Sequence, residues 1–409
     1  MSLMEGLGMT YTLLWGDTHI HAEYSVCFKP EVIPDGFDGS PGDCYRYARD
    51  VAEIDFAAVT DHTFSGIGKK VPIVLTEDQY GVILEANRAY HDPGRFVTFP
   101  AYEWNSPLDR TYGHHNAYFC DDEPPLLPSG HDISSIDEMW AAFDELPYEA
   151  MMIPHHLARD QTPYDWSTLN PRYEPVVEIT SNWGNYEYKG NPQACDPNWS
   201  PGVPGSFLQD GLARGHRVGV IGSSDSHSGH SGGHHPPFDP KIPGRPANPI
   251  SAARNSYRRN ILGAGLAGVY AEEFTREGIF AALHARRCYA ATGRKIRLWT
   301  ETNGHIMGAD GGTLPDKSRT VHVAVNGTAP IAHITLVRNN VDVRRFHPQE
   351  PTADVTIDLV DDDPMEKIVK VSPPVADGNG AALVYYYVRV VQADERTAWS
   401  SPVWFTVSA

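Results

Sequence analysis

Cysteine and positive charge are both scarce in this chain. Its 409 residues include 5 cysteines, an odd number with no Cys-x-x-Cys pair, which excludes a disulfide scaffold and a two-cysteine redox motif. The cysteines are Cys27, Cys44, Cys120, Cys195 and Cys288. Scattered reduced thiols predict a cytoplasmic protein. With 33 Lys and Arg against 52 Asp and Glu, the net charge of −19 argues against a nucleic-acid partner, because binding phosphate backbones requires clustered positive charge.

Long apolar runs are absent as well. No run reaches the roughly 18 residues of a membrane-spanning helix, so no membrane association is expected. The N-terminus lacks the basic and apolar regions of a secretory signal. Residues 1–10 are interpreted as a disordered, expression-derived segment, because Met1-Ser2-Leu3 precedes a second methionine. No P-loop occurs, and Gly263–Gly268 fits Gly-x-Gly-x-x-Gly only formally, so we interpret it as a tight loop or a helix contact.

The sequence does contain a repeated pattern in which an apolar run ends at His, Asp or Glu. The five cases end at His19-Ile20-His21, Asp61-His62, Glu103, His155-His156 and Asp225-Ser226-His227. Residues two apart on a strand point to the same face, so His19 and His21 can bind one cation together. A single such residue is more often a surface or core group, but five similar strand ends predict one polynuclear metal site.

Alternating strand and helix patterns from residue 11 to 300 predict an α/β domain with a mainly parallel sheet. If the sheet closes as a barrel, the catalytic groups belong at the carboxyl ends of its strands, where these ligands fall. Residues 301–409 alternate in strand fashion between Asn, Gly and Asp turns, which predicts a small β-sandwich domain. The long segments 182–206 and 228–258 are interpreted as substrate loops.

Imidazole nitrogens and carboxylate oxygens suit zinc, manganese or iron, and Glu103 is the best candidate to bridge two cations. Neighbours on a strand point opposite ways, so one of His114 and His115, and one of His155 and His156, can be a ligand; His114 and His155 are favoured. His230 is balanced between substrate contact and a solvated loop. Candidate arginines for an anionic substrate are Arg254, Arg258, Arg259 and Arg294.

In order and context these motifs resemble those of the PHP (polymerase and histidinol phosphatase) superfamily. The matching pieces are Asp17–His21, Val59–His62, Glu103, His114, Pro154-His155 and Ser224–His227. More narrowly, the whole chain resembles the uncharacterised DUF3604 family, on Leu14–His21, Thr180–Glu187, Arg287–Gly293 and Ala398–Trp404. The resemblance implies a distorted (β/α)7 TIM-like barrel, related to amidohydrolases, that holds two or three metal ions and acts mostly on phosphoesters.

The same resemblance implies particular roles for the ligands. The first metal would be held by His19, His21, Glu103 and Asp225. The second would be held by Glu103, His114 and His155. The rest of the site would be formed by His62 and His227. Asp61 would orient His62 or a neighbouring ligand. A third site usually carries His or Asp where this chain has Cys27, so either a thiolate binds there or the third site is lost.

The sequence therefore predicts a metal-dependent hydrolase, foremost a phosphoesterase, that uses a metal-bound hydroxide. Asp225 would relay a proton, and His227 or His62 would protonate the leaving oxygen. The predicted partner is a small anionic substrate, and a homo-oligomer is plausible. Two alternatives stay open: an amide, ester or lactone hydrolase with the same nucleophile, and a non-catalytic metal-binding or accessory module.

Overall fold

A computed structural model describes residues 11–30, 33, 36–65, 73–105, 112–127, 135–194, 200–229, 231–232, 265–316, 318–368, 370–371 and 382–407. The first strands are β1 (Thr12–Ile20), β2 (Phe56–Val59), β3 (Phe64–Ser65), β4 (Ile73–Val74), β5 (Val97–Thr98), β6 (Ala101–Asn105), β7 (His114–Phe119), β8 (Ala150–His155), β9 (Val176–Ser181), β10 (Gly184–Asn185), β11 (Gly219–Gly222), β12 (Gly265–Ala271) and β13 (Cys288–Thr292). The helices are α1 (Pro41–Asp50), α2 (Glu77–Tyr90), α3 (Ile136–Asp144), α4 (Leu208–Ala213) and α5 (Arg276–His284). The predicted segment 1–10 lies outside the described residues.

Four of the described helices, α1, α2, α3 and α5, begin after residues whose side chains satisfy a free backbone N–H group. Thr76 caps α2 by accepting from the backbone N of Gln79, and the Gln79 side chain accepts in return from the backbone N of Thr76. Ser135 and Glu138 make the same reciprocal pair at α3. Ser40 caps α1, and Pro41 follows as the first helical residue, where its missing N–H costs nothing.

The strand pairing is mixed, so the prediction of a mainly parallel sheet is wrong. β1 pairs in parallel with β2, and β9 with β11, but β6, β7 and β8 pair antiparallel, as do β1, β12 and β13. The connection from β6 to β7 spans only residues 106–113, which is shorter than the dozen or more residues that a parallel crossover requires. The chain therefore folds back on itself there.

The described part of Gly263–Gly268 is a strand, because β12 begins at Gly265. The predicted loop or helix contact is therefore wrong for that part. A Cβ on Gly268 would lie 2.4 Å from the Tyr289 ring, and one on Gly265 would lie 2.4 Å from the backbone oxygen of Thr180. Glycine is required here because neighbouring chain segments approach too closely for a side chain.

The strands of this α/β region fall into separate sheets, and the described strands do not hydrogen-bond into one closed barrel. Two isolated parallel bridges link the sheets, between His62 and Glu103 and between Ile20 and Ser226. Apolar side chains of different sheets share one buried cluster that includes Leu14, Phe56, Val97, Met151 and Ile221. The sheets therefore surround a common core, and the bridges bring the predicted ligands side by side.

Beyond β13 the described chain is almost entirely strand. These strands are β14 (Arg297–Thr302), β15 (His305–Ile306), β16 (Asp310–Thr313), β17 (Arg319–Asn326), β18 (Ile331–Arg338), β19 (Val341–Phe346), β20 (Asp354–Asp361), β21 (Leu383–Gln392), β22 (Thr397–Ser400) and β23 (Val403–Thr406). β22 pairs with β13, so one sheet runs without interruption from β1 through β12 and β13 into this region. The domain boundary at residue 300 stays a prediction. No helix of the described chain is long and apolar enough to cross a membrane.

Candidate metal centre

Glu103, on β6, is a buried carboxylate with imidazoles facing both of its oxygens. Around Oε1 lie His114 Nδ1 at 2.7 Å, His155 Nε2 at 3.3 Å and His62 Nδ1 at 3.3 Å. Around Oε2 lie His21 Nε2 at 3.3 Å and His19 Nε2 at 3.5 Å. The two oxygens of one side chain therefore face two different sets of nitrogens.

Asp225 follows β11 and forms a second carboxylate centre beside the first. Its Oδ1 lies 2.9 Å from His227 Nε2, 3.2 Å from His21 Nε2 and 3.4 Å from His19 Nε2. The backbone of Asp225 has a φ of 50°, in the left-handed region that residues other than glycine rarely adopt. Strained backbone of this kind is concentrated at functional sites, where the surrounding structure enforces it.

Burial lowers the pKa of several imidazoles around these carboxylates. It lowers the pKa of His62 to about 4, and burial together with the nearby His19 lowers the pKa of His155 to about 3. Burial opposes the charge of Glu103, but the surrounding imidazoles, foremost His62 and His155, outweigh it and hold the pKa of Glu103 well below its usual value. The site thus combines carboxylates held in the ionised form with imidazole nitrogens, which is the donor set that a divalent cation requires.

The surroundings of His19 show whether the residues of the cluster fit a cation. Burial opposes its charge, but Asp225 and Glu178 outweigh burial and hold the pKa of His19 well above its usual value. Its buried Nε2 has no hydrogen-bond partner, although it lies 3.5 Å from Glu103 and 3.4 Å from Asp225. An unbonded nitrogen aimed between two carboxylates is the arrangement that a metal ion fills, so the residues fit a metal.

Two polar side chains hold ligand rings from behind. Glu178 Oε2 lies 3.0 Å from His19 Nδ1, and Ser25 Oγ lies 3.0 Å from His21 Nδ1. Such partners fix the orientation of ligand imidazoles and raise their basicity. Asn105 Oδ1 instead lies 2.8 Å from His62 Nδ1, the same nitrogen that faces Glu103. None of these three polar residues was predicted from the sequence. A signal existed for Glu178, which is an isolated charge in the apolar run Val176-Val177-Glu178-Ile179.

His114 and His115 point to opposite sides of β7. His114 faces Glu103, whereas the His115 ring is buried on the other side with its Nε2 2.9 Å from Glu174 Oε1. Tyr164 also donates to Glu174, at 3.2 Å. His115 is thus held by a polar pair outside the cluster.

His155 and His156 do not point to opposite sides, contrary to the strand alternation assumed for them. β8 ends at His155, and the backbone of His156 has a φ of 33°, which turns its ring back toward the cluster. The His156 ring centroid lies 4.3 Å from that of His155 and 5.0 Å from that of His114. Possible ligand atoms of Glu103, His114, His155 and His156 all lie within 4.8 Å of one another.

Cys27 and Asp61 lie at the edge of the same cluster. Possible ligand atoms of Cys27, His21 and His62 lie within 4.8 Å of one another. Asp61 is buried, its Oδ1 accepts from the backbone N of Ala22 at 2.6 Å, and burial raises its pKa to about 7. Asp61 therefore positions the end of β1, next to His21, and its hydrogen bond to Ala22 does not reach the His62 ring.

The predicted substrate residues are not brought to the cluster by the described structure. Arg254, Arg258, Arg259 and His230 lie outside the described residues. Arg294 is exposed in the turn after β13. Arg159, which was not predicted, and Trp183, which belongs to the predicted substrate loop 182–206, lie beside the cluster instead.

Residues 208–303 match the sequence profile of DUF3604, a family described as a protein of unknown function. The chain is 25% identical over 411 residues to an uncharacterised protein of Chlamydia trachomatis, and 26% identical over 371 residues to one of Chlamydia pneumoniae. The alignments cover 97% and 88% of this chain, but only 58% and 54% of the relatives. This chain therefore spans little more than half the length of the curated relatives it matches.

Among solved structures, the chain is similar to a two-domain protein of Bacteroides vulgatus that contains a predicted PHP-like metal-dependent phosphoesterase. That likeness covers 96% of both chains at 14% identity, with a TM-score of 0.43. PsfC of Pseudomonas syringae aligns at 16% identity with a TM-score of 0.32, over 53% of this chain and 78% of PsfC. Both TM-scores are below 0.5, so the finding that stands is the cluster itself, whose donor set is compatible with divalent metal ions.

Proposed function

We propose that this protein is a metal-dependent hydrolase, most specifically a phosphoesterase, built on a PHP-type barrel over residues 11–300 with a β-sandwich over 301–409. One observation carries the proposal. Glu103 presents Oε1 to one set of imidazoles and Oε2 to another. A carboxylate placed in this way would hold two cations at once, and paired cations are used for hydrolysis and phosphoryl transfer.

The ligand sets follow from these contacts. One cation would be held by His19, His21, Glu103 and Asp225, and a second by Glu103, His114 and His155, with His156 beside it. When bound, zinc, manganese or iron would supply Lewis acidity and lower the pKa of bound water toward about 7.

The exposure of the rings supports a reactive site over a structural one. The His62, His114 and His227 side chains are 14%, 18% and 14% exposed, while His19 and His155 are fully buried. The rings of His19 and His155 are thus shielded from water, whereas those of His62, His114 and His227 contact solvent. Structural metal sites are closed, whereas catalytic sites keep a position open for water and substrate.

His227 and Asp225 are placed to move a proton at the open side. His227 Nε2 lies 2.9 Å from Asp225 Oδ1, and the ring contacts solvent. Burial lowers the pKa of His227, which favours the neutral ring that can accept a proton. We assign Asp225 and His227 to proton transfer and His62 to the open edge of the site, where it can approach a leaving oxygen.

The test combines metal analysis with a substrate panel. Protein purified without chelators or metal-affinity steps is assayed for metal per protomer, and then for turnover of phosphomonoesters, phosphodiesters, lactones and amides. Two or three metal equivalents and phosphoester turnover are expected. Glu103→Gln should lose metal and reduce turnover about 100-fold or more, because the carboxylate no longer carries the charge that two cations share.

The control variant is Glu123→Gln, which changes an exposed glutamate that pairs with Arg88 at the surface. It should keep both metal and turnover. If only lactones or amides are turned over, the enzyme attacks carbon, and the phosphoesterase part of the proposal is wrong. A folded protein that holds no metal and takes none up would instead indicate a non-catalytic accessory module.

A further inference from the structure

Arg159 lies in the turn that follows β8, directly after the cluster histidines of that strand. The backbone N of Arg159 donates to His156 O at 2.9 Å, and the backbone N of Thr162 donates to Arg159 O at 3.1 Å. This turn keeps Arg159 beside His156 and leaves its side chain half-buried. The positive charge of Arg159 contributes to the lowered pKa of His156, after burial and His155.

Trp183, at the turn between β9 and β10, lies between Arg159 and His227, which contacts Asp225. The guanidinium carbon of Arg159 lies 4.7 Å from the centroid of the Trp183 ring, and that ring lies 5.6 Å from the ring of His227. The backbone N of the neighbouring Asn182 donates to Ser224 O at 3.0 Å, which anchors the turn next to Asp225. Arg159 therefore contacts His156, beside Glu103, and Trp183, whose ring lies beside His227 on the Asp225 side of the cluster.

The guanidinium of Arg159 carries a positive charge beside imidazoles that are arranged to bind metal. Its Nη2 donates to Gln161 Oε1 at 2.9 Å, and its carbon lies over the Trp183 ring. An anion bound between this guanidinium and the metal ions would be attracted to both at once.

We propose that Arg159 binds the non-bridging oxygens of a substrate phosphoryl group, and that the face of Trp183 forms a wall for the organic group attached to it. The proposal rests on the proposed function and narrows it to an anionic phosphoester. A guanidinium matches two oxygens of a phosphoryl group with parallel N–H donors, whereas a neutral amide or lactone offers a single acceptor.

Arg172 supplies a matched control for Arg159. It is also an arginine stacked on an aromatic ring, 4.8 Å from the Tyr173 centroid, but it is exposed and pairs with Asp144. Metal-loaded wild type, Arg159→Gln, Arg159→Lys and Arg172→Gln are titrated calorimetrically with inorganic phosphate, and the metal content of each is measured. Arg159→Gln should weaken phosphate binding about 10-fold or more, Arg159→Lys less, and Arg172→Gln not at all.

If Arg159→Gln keeps its metal and binds phosphate as tightly as wild type, the role of Arg159 is wrong and the hydrolase proposal stands. Wild type that binds metal but no phosphate also overturns the subsite. Wild type that takes up no metal overturns the proposed function instead. These outcomes separate the two proposals, since metal content reports on one and phosphate affinity on the other.

The wall formed by Trp183 has its own kinetic test. Trp183→Ala should raise KM for phenyl phosphate more than KM for methyl phosphate, because only the larger group reaches the indole face. Trp183→Phe should keep most of the difference between the two substrates. Equal effects of Trp183→Ala on both substrates would show that Trp183 does not contact the leaving group.

Discussion

Arg389 and Glu187 form a two-pronged ion pair between parts of the chain 202 residues apart. Arg389 Nε donates to Glu187 Oε2 at 2.9 Å and its Nη2 donates to Oε1 at 2.5 Å, while Tyr387 and Trp399 also donate to the same buried carboxylate. Glu187 follows β10, in the segment that carries Trp183, and Arg389 lies on β21. The C-terminal strands thus hold a segment that borders the metal centre.

The first prediction concerns this ion pair. Arg389→Met should lower the free energy of unfolding by about 3–5 kcal/mol, because it leaves the Glu187 charge buried without its partner. The double variant Glu187→Gln/Arg389→Met should recover much of that loss. Denaturant unfolding measures both, with Arg49→Gln as control, since Arg49 pairs with Asp50 at the surface and should cost at most about 1 kcal/mol. Equal losses for the two arginines would contradict a special role of the buried pair.

The second prediction uses two buried glutamates that each bind a histidine. Glu178 lies 3.0 Å from His19, inside the cluster, and Glu174 lies 2.9 Å from His115, outside it. Glu178→Gln should weaken metal binding by about 10–100-fold, because it no longer orients and polarises a ligand ring. Glu174→Gln should leave metal affinity unchanged. Competition with a chromophoric chelator measures both, and similar losses in the two variants would remove Glu178 from the site.

The third prediction concerns Cys27. Possible ligand atoms of Cys27, His21 and His62 lie close enough together to bind one metal ion. Burial raises the pKa of the Cys27 thiol, but a thiol that binds a metal loses its proton. Cobalt-substituted protein should therefore show a near-ultraviolet thiolate-to-cobalt charge-transfer band. Cys27→Ser should lose the band, whereas Cys288→Ser, which changes a buried cysteine on β13, should keep it. A wild-type spectrum without the band would leave Cys27 outside the metal site.

The fourth prediction contrasts two glycines. A Cβ on Gly265 would lie 2.4 Å from Thr180 O and 2.6 Å from Ser223 N, in the backbone that leads to Asp225. Gly265→Ala should therefore cost about 1–3 kcal/mol of stability and weaken metal binding. Gly81, inside α2, has open space around it, so Gly81→Ala should stabilise by about 0.5–1 kcal/mol. Thermal unfolding and metal titration of both variants test the opposite signs.

Local sequence signals located most elements of the fold. Thr76 followed by the acidic Glu77 and Asp78 is a local helix-start signal, and α2 begins there at Glu77; the apolar run at 176–179 likewise forms β9 at Val176–Ser181. Caps and period-two alternation are properties of neighbouring residues, so they can be read without a structure. The parallel pairing expected from helix–strand alternation failed at β6 and β7, where pairing depended on the length of one connection.

The sequence by itself determined the chemical content of the site, because His19, His21, Glu103 and Asp225 stand at the ends of apolar runs whose local pattern forces them into strands. Tertiary structure alone decided which groups support them. Glu178 meets His19 across 159 residues, and Arg159 meets Trp183 through two turns. Likewise, a positive φ returns His156 to the cluster against strand alternation. Contacts between distant segments depend on how sheets pack around a shared core, and neither periodicity nor spacing carries that information.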